Sequence, residues 1–296
     1  MARQKLREWL MTPSPKLTTV TPGSTTKTVT GTQDTTWPRV PSWSTWADFN
    51  HASVTKLLHE ILEAEYELPA SPPRLPAAQC AITDERTYEF ALIKFHNQVV
   101  SEALDAVGRR FPLLGAKLRC WACGHHARHN DIIGKPDLAA IPATPPPDFS
   151  TSLPDCVCPG DSKYRFENFP PAAPQFSSTA VAQDNRWAQV YLRQAAHYAV
   201  QRRTRYFYLL TPCNLVVCRR RASGGSHLPA NEPVRPEIVV LPYSSDPATD
   251  DVSNQLSMNV ALFAMHILAS LSHDVRPHYT SIENEYGPLL SQHLEM

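Results

Sequence analysis

The chain has 296 residues, of which 42% are hydrophobic and 19% are charged, which is enough apolar material for a sizeable core. Its formal net charge is zero, which excludes a protein that holds nucleic acid through overall basic charge. The longest apolar run, from Val260 to Leu271, is interrupted by His266 and is too short to cross a bilayer. We therefore expect no membrane association, and any nucleic-acid contact must come from local basic patches.

The cysteines and the N-terminus indicate the compartment. Seven cysteines are an odd number, and the first ten residues lack the apolar segment of a secretory signal. These features predict an intracellular protein with mostly free thiols, in the nucleus or the cytoplasm.

Residues 1–50 are rich in Ser, Thr and Pro, a composition that predicts a disordered leader. Trp37, Trp43 and Trp46 are exceptions, and we expect them to dock on the folded domain or to bind a partner. Residues 51–280 are predicted to form that domain.

A long helix is predicted from Asp84 to Val107, with Thr83 as its N-cap. Apolar side chains at helical spacing form its inner face, namely Leu92, Phe95, Val99 and Ala103. Three carboxylates fall on or beside that face, at Glu85, Glu89 and Glu102. They are either surface groups or contributors to a site.

The segment from Cys120 to His129 contains a CxxC pair and three histidines, and it allows two interpretations. Cys120 and Cys123 near histidines are typical of zinc sites, and Cys156 and Cys158 could complete four ligands. The spacing fits no standard zinc module, however. The alternative is a strand in which Cys120 is a small buried hydrophobe, with the histidines free to face nucleic acid.

The stretch between Gly134 and Arg165 contains an informative pattern of acids, Pro136-Asp137 followed by Asp161-Ser162-Lys163. Alternate residues of a strand share a face, so Asp161 and Lys163 point the same way and Ser162 points to the other side. If Asp137 lies on the neighbouring strand, two carboxylates and one ammonium converge. Such a set is typical of a site for Mg²⁺ or Mn²⁺.

A helix is predicted to follow, because Trp187, Tyr191, Gln194 and Tyr198 recur at three- and four-residue steps. Gln194 and Tyr198 project together and could reach the site at the strand end. The alternative is a half-buried helix that satisfies the amide of Gln194 internally.

The remaining elements are strands, a last helix and a tail. Strands are predicted over five ranges. The first two carry the acids, and the five ranges are Lys135–Ile141, Cys156–Arg165, Tyr206–Thr211, Cys213–Arg219 and Glu237–Leu241. The last helix is predicted from Asp250, and residues 281–296 are expected to form a polar tail.

Two arginine clusters flank the predicted hairpin, Arg202, Arg203 and Arg205 on one side and Arg219, Arg220 and Arg221 on the other. Arginines at element ends suit contacts with a phosphate backbone. The alternative is a solvated charged edge that protects the sheet from aggregation.

The acidic pattern resembles the PD-(D/E)xK nuclease superfamily, in which Pro136-Asp137 matches the PD and Asp161-Ser162-Lys163 matches the (D/E)xK. Gln194 and Tyr198 match the QxxxY motif of its RecB-like members. The resemblance spans roughly residues 80–270 and points to divergent nuclease-like domains of fungal proteins. It implies an α/β fold with a restriction-endonuclease-like core, in which helices flank a mixed central sheet.

The resemblance also implies a function, the metal-dependent hydrolysis of phosphodiester bonds, with DNA as the expected partner and substrate. The implied catalytic residues are Asp137, Asp161, Lys163, Gln194 and Tyr198. Asp137 and Asp161 would hold Mg²⁺ or Mn²⁺, and a helix before the sheet would add a third ligand, for which Glu89 is preferred to Glu85 or Glu102. Because fold does not fix function, a non-catalytic DNA-binding or protein-interaction module on the same fold is the alternative.

Overall fold

A computed structural model describes residues 1–20, 37–123, 136–142, 156–163, 183–222, 233–243 and 256–295. The strands are β1 (Ala2–Lys5), β2 (Thr18–Thr19), β3 (Ser44–Thr45), β4 (Glu65–Leu68), β5 (Ala81–Ile82), β6 (Arg119–Cys123), β7 (Leu138–Pro142), β8 (Gly160–Ser162), β9 (Tyr206–Leu210), β10 (Asn214–Arg219) and β11 (Glu237–Pro242).

The helices are α1 (Leu6–Leu10), α2 (His51–Leu57), α3 (His59–Glu63), α4 (Glu85–Leu92), α5 (Gln98–Arg110), α6 (Pro112–Gly115), α7 (Gln183–Gln201), α8 (Met258–Leu271) and α9 (Ile282–Leu294). A π-helical turn at Ile93–Asn97 joins α4 to α5, and a 3₁₀ turn covers Ala77–Gln79. No helix in the described ranges is long and apolar enough to span a bilayer.

A mixed sheet of seven strands organises the fold, in the order β3-β11-β10-β9-β8-β7-β6. Strands β8 and β9 pair in parallel, as do β11 and β3, whereas the other neighbours are antiparallel. The remaining strands form two small ladders, β1 with β4 and β2 with β5. The predicted class, a mixed α/β sheet flanked by helices, is confirmed.

Helices cover both faces of this sheet, as the alternation along β9 shows. Tyr206, Tyr208 and Leu210 belong to the larger core cluster, which also contains side chains of α1 to α6, α8 and α9. Phe207 and Leu209 belong to the second cluster, formed with α7. Every side chain of β9 is buried, as expected for a central strand covered on both faces.

The N-terminal segment differs from the expected disordered leader in its described part. Leu6, Trp9 and Leu10 are buried in the larger core, and the indole of Trp9 donates a hydrogen bond to the carbonyl of Val99 over 2.9 Å. Trp46 is also fully buried. Apolar side chains at helical spacing overcome a polar local composition because they bury against α5.

The predicted long helix exists, with two differences. Asp84, rather than Thr83, is its N-cap, because the Asp84 carboxylate accepts the amide of Thr87 and the Thr87 hydroxyl closes a capping box. The helix also contains the π turn and continues to Arg110.

The strand boundaries shift by a few residues. The strand predicted from Lys135 begins at Leu138, with Lys135 itself outside the described residues. The strand predicted over Cys156–Arg165 is limited to Gly160–Ser162 within the described range, which ends at Lys163. The start predicted for the last helix, Asp250, also lies outside the described residues, and α8 begins after the N-cap Ser257.

Helix α9 occupies most of the segment that the sequence predicts as a polar tail, and it has an apolar side that is buried. Ile282, Tyr286 and Leu290 lie four residues apart and are buried. The hydroxyl of Tyr286 accepts a hydrogen bond from Arg205 over 3.0 Å and donates one to the carbonyl of Ser272. This apolar stripe places α9 in the larger core.

Candidate functional site

The predicted acids meet at one end of β8, between β7 and β9. Leu138 of β7 pairs with Gly160 of β8 in an antiparallel ladder, so Asp137 and Asp161 take the next positions at the same end of that ladder, opposite each other. The backbone amide of Ser162 donates to Asp137 over 2.8 Å, which fixes the carboxylate of Asp137 beside β8. The neighbouring-strand arrangement predicted from the sequence is therefore present.

Gly160 allows β8 to lie against the ring of Tyr208. A Cβ atom at Gly160 would be 2.1 Å from Cζ of Tyr208, far inside contact distance. The glycine thus sets the position of the two residues that follow it, Asp161 and Ser162.

The two faces of β8 lead to different helices. Asp161 pairs with Leu209, which packs towards α7, whereas Ser162 pairs with Leu210, which packs into the larger core. Ser162 is therefore opposite to Asp161, as strand alternation predicts. The sequence did not indicate that Ser162 also belongs to the site, since its hydroxyl donates to Asp137 over 2.9 Å and lies 3.4 Å from Glu89.

Lys163 joins the two sides at the strand end. Its Nζ is 2.7 Å from Oδ2 of Asp161, 2.9 Å from the carbonyl of Ser162 and 3.3 Å from Glu85. Burial lowers the pKa of the Lys163 ammonium, but the carboxylates of Asp161, Asp137 and Glu85 outweigh burial and raise it. These carboxylates therefore favour the charged form of the lysine in this arrangement.

Asp161 is the most strongly perturbed acid of the site. Its side chain is 1% exposed, and neither carboxylate oxygen accepts a well-aligned hydrogen bond within the described part of the chain. Burial raises the pKa of Asp161 well above its ordinary value, Lys163 lowers it, and Asp137 raises it again. A buried carboxylate whose close cation among the described residues is Lys163 is costly to a fold, and it calls for a functional explanation.

Helix α4 contributes two further carboxylates, Glu85 and Glu89, one turn apart. Burial raises the pKa of Glu89, and the nearby charges of Asp137 and Glu85 raise it further. The sequence preferred Glu89 to Glu85, but the structure brings both to the site. No contact of the described residues connects Glu102, which lies on α5, with this group.

Helix α7 approaches from the opposite face. The amide of Gln194 donates to the hydroxyl of Tyr198 over 2.9 Å, so the two side chains project together as predicted. Burial raises the pKa of Tyr198, and the charge of Asp161 adds to the effect, which places this phenol in the field of the site. The ring centre of Tyr191 lies 5.8 Å from Nζ of Lys163.

The donors of this group suit a hard divalent cation, because Asp137, Asp161 and Glu89 offer only oxygen. The burial of Asp161 and the repulsion that Glu89 feels from Asp137 and Glu85 fit such an ion. In the present arrangement, the hydroxyl of Ser162 donates to Asp137 and the ammonium of Lys163 pairs with Asp161 instead. Within the described ranges, no three His, Cys, Asp or Glu side chains are already positioned around a metal ion.

The zinc interpretation receives no support from the described cysteines. Cys120 packs against a small cluster containing Ala139, Ile141 and Cys156, and its thiol faces the carbonyl of Pro142. Burial raises the pKa of Cys158 well above its ordinary value, so in the present arrangement it is a neutral thiol in the core. The side chain of Cys123 and all three histidines of the segment lie outside the described residues.

Three of the six arginines, Arg205, Arg219 and Arg220, are buried, so neither a phosphate contact nor a solvated charged edge, the two alternatives left open by the sequence, describes them. Arg205 is fully buried and pairs with Glu285, and Arg219 is 3% exposed and pairs with Glu237. Arg220 is also buried and donates to a backbone carbonyl. Arginines that are already paired inside the protein cannot reach a phosphate backbone.

Comparison with protein-family models, with curated proteins and with solved structures finds no match for this chain.

Proposed function

We propose that this chain is a metal-dependent nuclease that hydrolyses phosphodiester bonds in DNA, on a restriction-endonuclease-like core. The observation that carries the proposal is the meeting of Asp137, Asp161 and Lys163 at the end of β8, with Asp161 buried beside Lys163. Perturbed ionisable groups that converge at one point are typical of functional sites.

Asp137 and Asp161 would hold Mg²⁺ or Mn²⁺, with Glu89 as a third ligand. Bound there, the ion would supply a Lewis acid for the phosphate and lower the pKa of a water molecule. Ser162 and Lys163 must release the carboxylates before the ion can bind, since they contact these oxygens now.

The protein groups have separate tasks in this proposal. Once it has released Asp161 to the ion, Lys163 would act as a cation that neutralises charge developing on the phosphate. Tyr198, held by Gln194, orients the lysine or the scissile strand. Glu85 keeps the ammonium of Lys163 at the solvent side of the site.

The test is cleavage of supercoiled plasmid with Mg²⁺, with Mn²⁺ and with EDTA. We expect metal-dependent nicking that is lost in Asp161→Asn and Lys163→Ala and retained in the control variants Asp274→Asn and Lys117→Ala. Both control residues are exposed and remote in sequence from the site. Circular dichroism checks that each variant is folded. Nicking that survives Asp161→Asn and Lys163→Ala would refute the proposed site.

The second candidate is a non-catalytic DNA-binding or protein-interaction module on the same fold. Asp161 already pairs with Lys163, and Asp137 already accepts two hydrogen bonds from Ser162. These contacts favour the second candidate because they compensate the acids without a metal ion. A wild-type protein that binds DNA but never cuts plasmid, single-stranded DNA or RNA would establish this candidate.

A further inference from the structure

The site opens towards helix α4. The side chain of Glu85 on α4 is 47% exposed, and that of Lys163, which it contacts, is 12% exposed. On the other face, Tyr198 of α7 is buried. Among the residues that the structure describes, a substrate therefore has its approach along α4.

Two rows of side chains run at four-residue steps along α4 and into the π turn that follows it. The first row contains Glu85, Glu89 and Ile93, of which the two acids contact the site. The second, adjacent row contains Arg86, Phe90 and Lys94, all exposed. Residues four apart on a helix are neighbours, so this second row is a strip of cation, aromatic ring and cation beside the acids.

The apolar side chains of the two rows, one in each, are unusual for their exposure. Phe90 is 43% exposed and Ile93 is 41% exposed, and they are two of five large hydrophobic side chains that are exposed in the described ranges. The ammonium of Lys94 lies 5.5 Å from the centre of the Phe90 ring, so charge and aromatic face are adjacent. Four-residue steps rise roughly 6 Å, which makes the row about 12 Å long.

We infer that the row Arg86-Phe90-Lys94 binds single-stranded DNA, with Phe90 stacked on an unpaired base and the two cations at the flanking phosphates. This inference rests on the proposed nuclease function and specifies its substrate as a single strand or a frayed end. An aromatic platform between cations suits unpaired bases, which present a π-face that a closed duplex keeps stacked inside. The cations also offset the repulsion between the strand and the acids of the first row.

Binding is measured by fluorescence anisotropy in EDTA, with a labelled single strand and the matching duplex, so that no strand is cut. We expect wild type to bind the single strand more tightly than the duplex. Phe90→Ala should weaken binding of the single strand by about tenfold, the loss of one stacked base, and leave duplex binding almost unchanged. The control Leu113→Ala removes another exposed apolar side chain, 55% exposed on α6, and should leave both affinities unchanged.

The charges have their own readout, the dependence of affinity on salt. Lys94→Gln should reduce the slope of log affinity against log salt by about 0.7 for the single strand, because one phosphate contact is lost. The control Lys117→Gln should keep the slope of wild type. Phe90→Ala and Lys94→Gln are exposed substitutions, so thermal unfolding should be unchanged in both.

Failure of the inference differs from failure of the proposed function. If wild type cuts DNA with metal but Phe90→Ala binds the single strand as wild type does, the row is refuted and the nuclease stands. If Phe90→Ala loses binding as expected while no metal supports cutting, the strip is a DNA site on a non-catalytic module. A wild type that prefers duplex, or binds neither form, overturns the inference.

Discussion

Replacing Lys163 by methionine removes the only ammonium that contacts Asp161 among the described residues, and it keeps most of the side-chain volume. The two charges are 2.7 Å apart, and Asp161 is 1% exposed. At that distance an effective dielectric constant of about 20 gives an attraction of about 6 kcal/mol. Since desolvation offsets part of this attraction, we expect a net loss of roughly 3–5 kcal/mol in the free energy of unfolding at neutral pH.

This loss should depend on pH, because Asp161 can take up a proton when its partner is gone. Burial already raises the pKa of Asp161 in the folded state above its unfolded value. The folded protein therefore binds a proton on Asp161 more tightly than the unfolded protein does. The stability that this proton contributes is fully present below the pKa of Asp161 in the unfolded chain, and it is lost as the pH rises through the pKa of Asp161 in the folded chain. Lys163→Met should consequently be less destabilising near about pH 5 than near about pH 8.

The assay is urea unfolding in EDTA at both pH values, for wild type, Lys163→Met and the double variant with Asp161→Asn. The double variant has no buried charge at this pair and should recover much of the lost stability. Lys117→Met, at an exposed lysine, controls for the loss of a surface charge. An equal loss at both pH values, with no recovery in the double variant, would refute the assignment of Lys163 as the partner of a buried ionised acid.

Three further predictions concern the fold that holds the site. Gly160→Ala should destabilise the protein by about 1–3 kcal/mol in urea unfolding, because the new Cβ would meet the ring of Tyr208, whereas Gly287→Ala, where nothing lies nearby, should have a smaller effect. Arg205→Met should lower the free energy of unfolding by roughly 3–5 kcal/mol, because it leaves Glu285 without its buried partner. Burial lowers the pKa of His96 from 6.5 to about 4, so stability is present above the unfolded value and lost as the pH falls towards 4. His96→Gln should therefore reduce the loss of stability between about pH 6.5 and pH 4 in urea unfolding measured as a function of pH.

The sequence predicts those parts of the site that depend on local periodicity. Strand alternation places Asp161 and Lys163 together, and helical spacing places Gln194 beside Tyr198. The same reasoning left Ser162 out, because it predicts only that this side chain faces away from Asp161. The acids that meet Ser162 come from β7 and α4, and such long-range pairing has no local signal.

The segments at the two ends of the chain show where composition is misleading. Ser, Thr and Pro dominate residues 1–50, but Leu6, Trp9 and Leu10 have helical spacing and are buried in the core. Periodicity in a window of ten residues would have found them, whereas an average over fifty residues conceals them. Arg205 carries no comparable signal, since its burial depends on Glu285, which is eighty residues away in the chain.

Glu89 offers a test that separates a metal ligand from a surface acid. Burial and the charges of Asp137 and Glu85 raise the pKa of Glu89, so its ionisation above that pKa costs stability. Glu89→Gln removes the repulsion and still accepts from Ser162, and we expect a gain of about 0.5–1 kcal/mol at neutral pH without metal, shrinking as the pH falls.

The same variant should respond differently to the ion. A ligand that binds only the folded state raises the melting temperature, so added Mg²⁺ or Mn²⁺ should stabilise wild type and stabilise Glu89→Gln much less. If Glu89 is a metal ligand, Glu89→Gln should gain stability without metal and lose the response to metal. Such a result is expected where acids that repel one another are retained because they bind the ion. If Glu89→Gln is less stable than wild type without metal and keeps the full response to metal, Glu89 is a structural acid and the ligand set must exclude it.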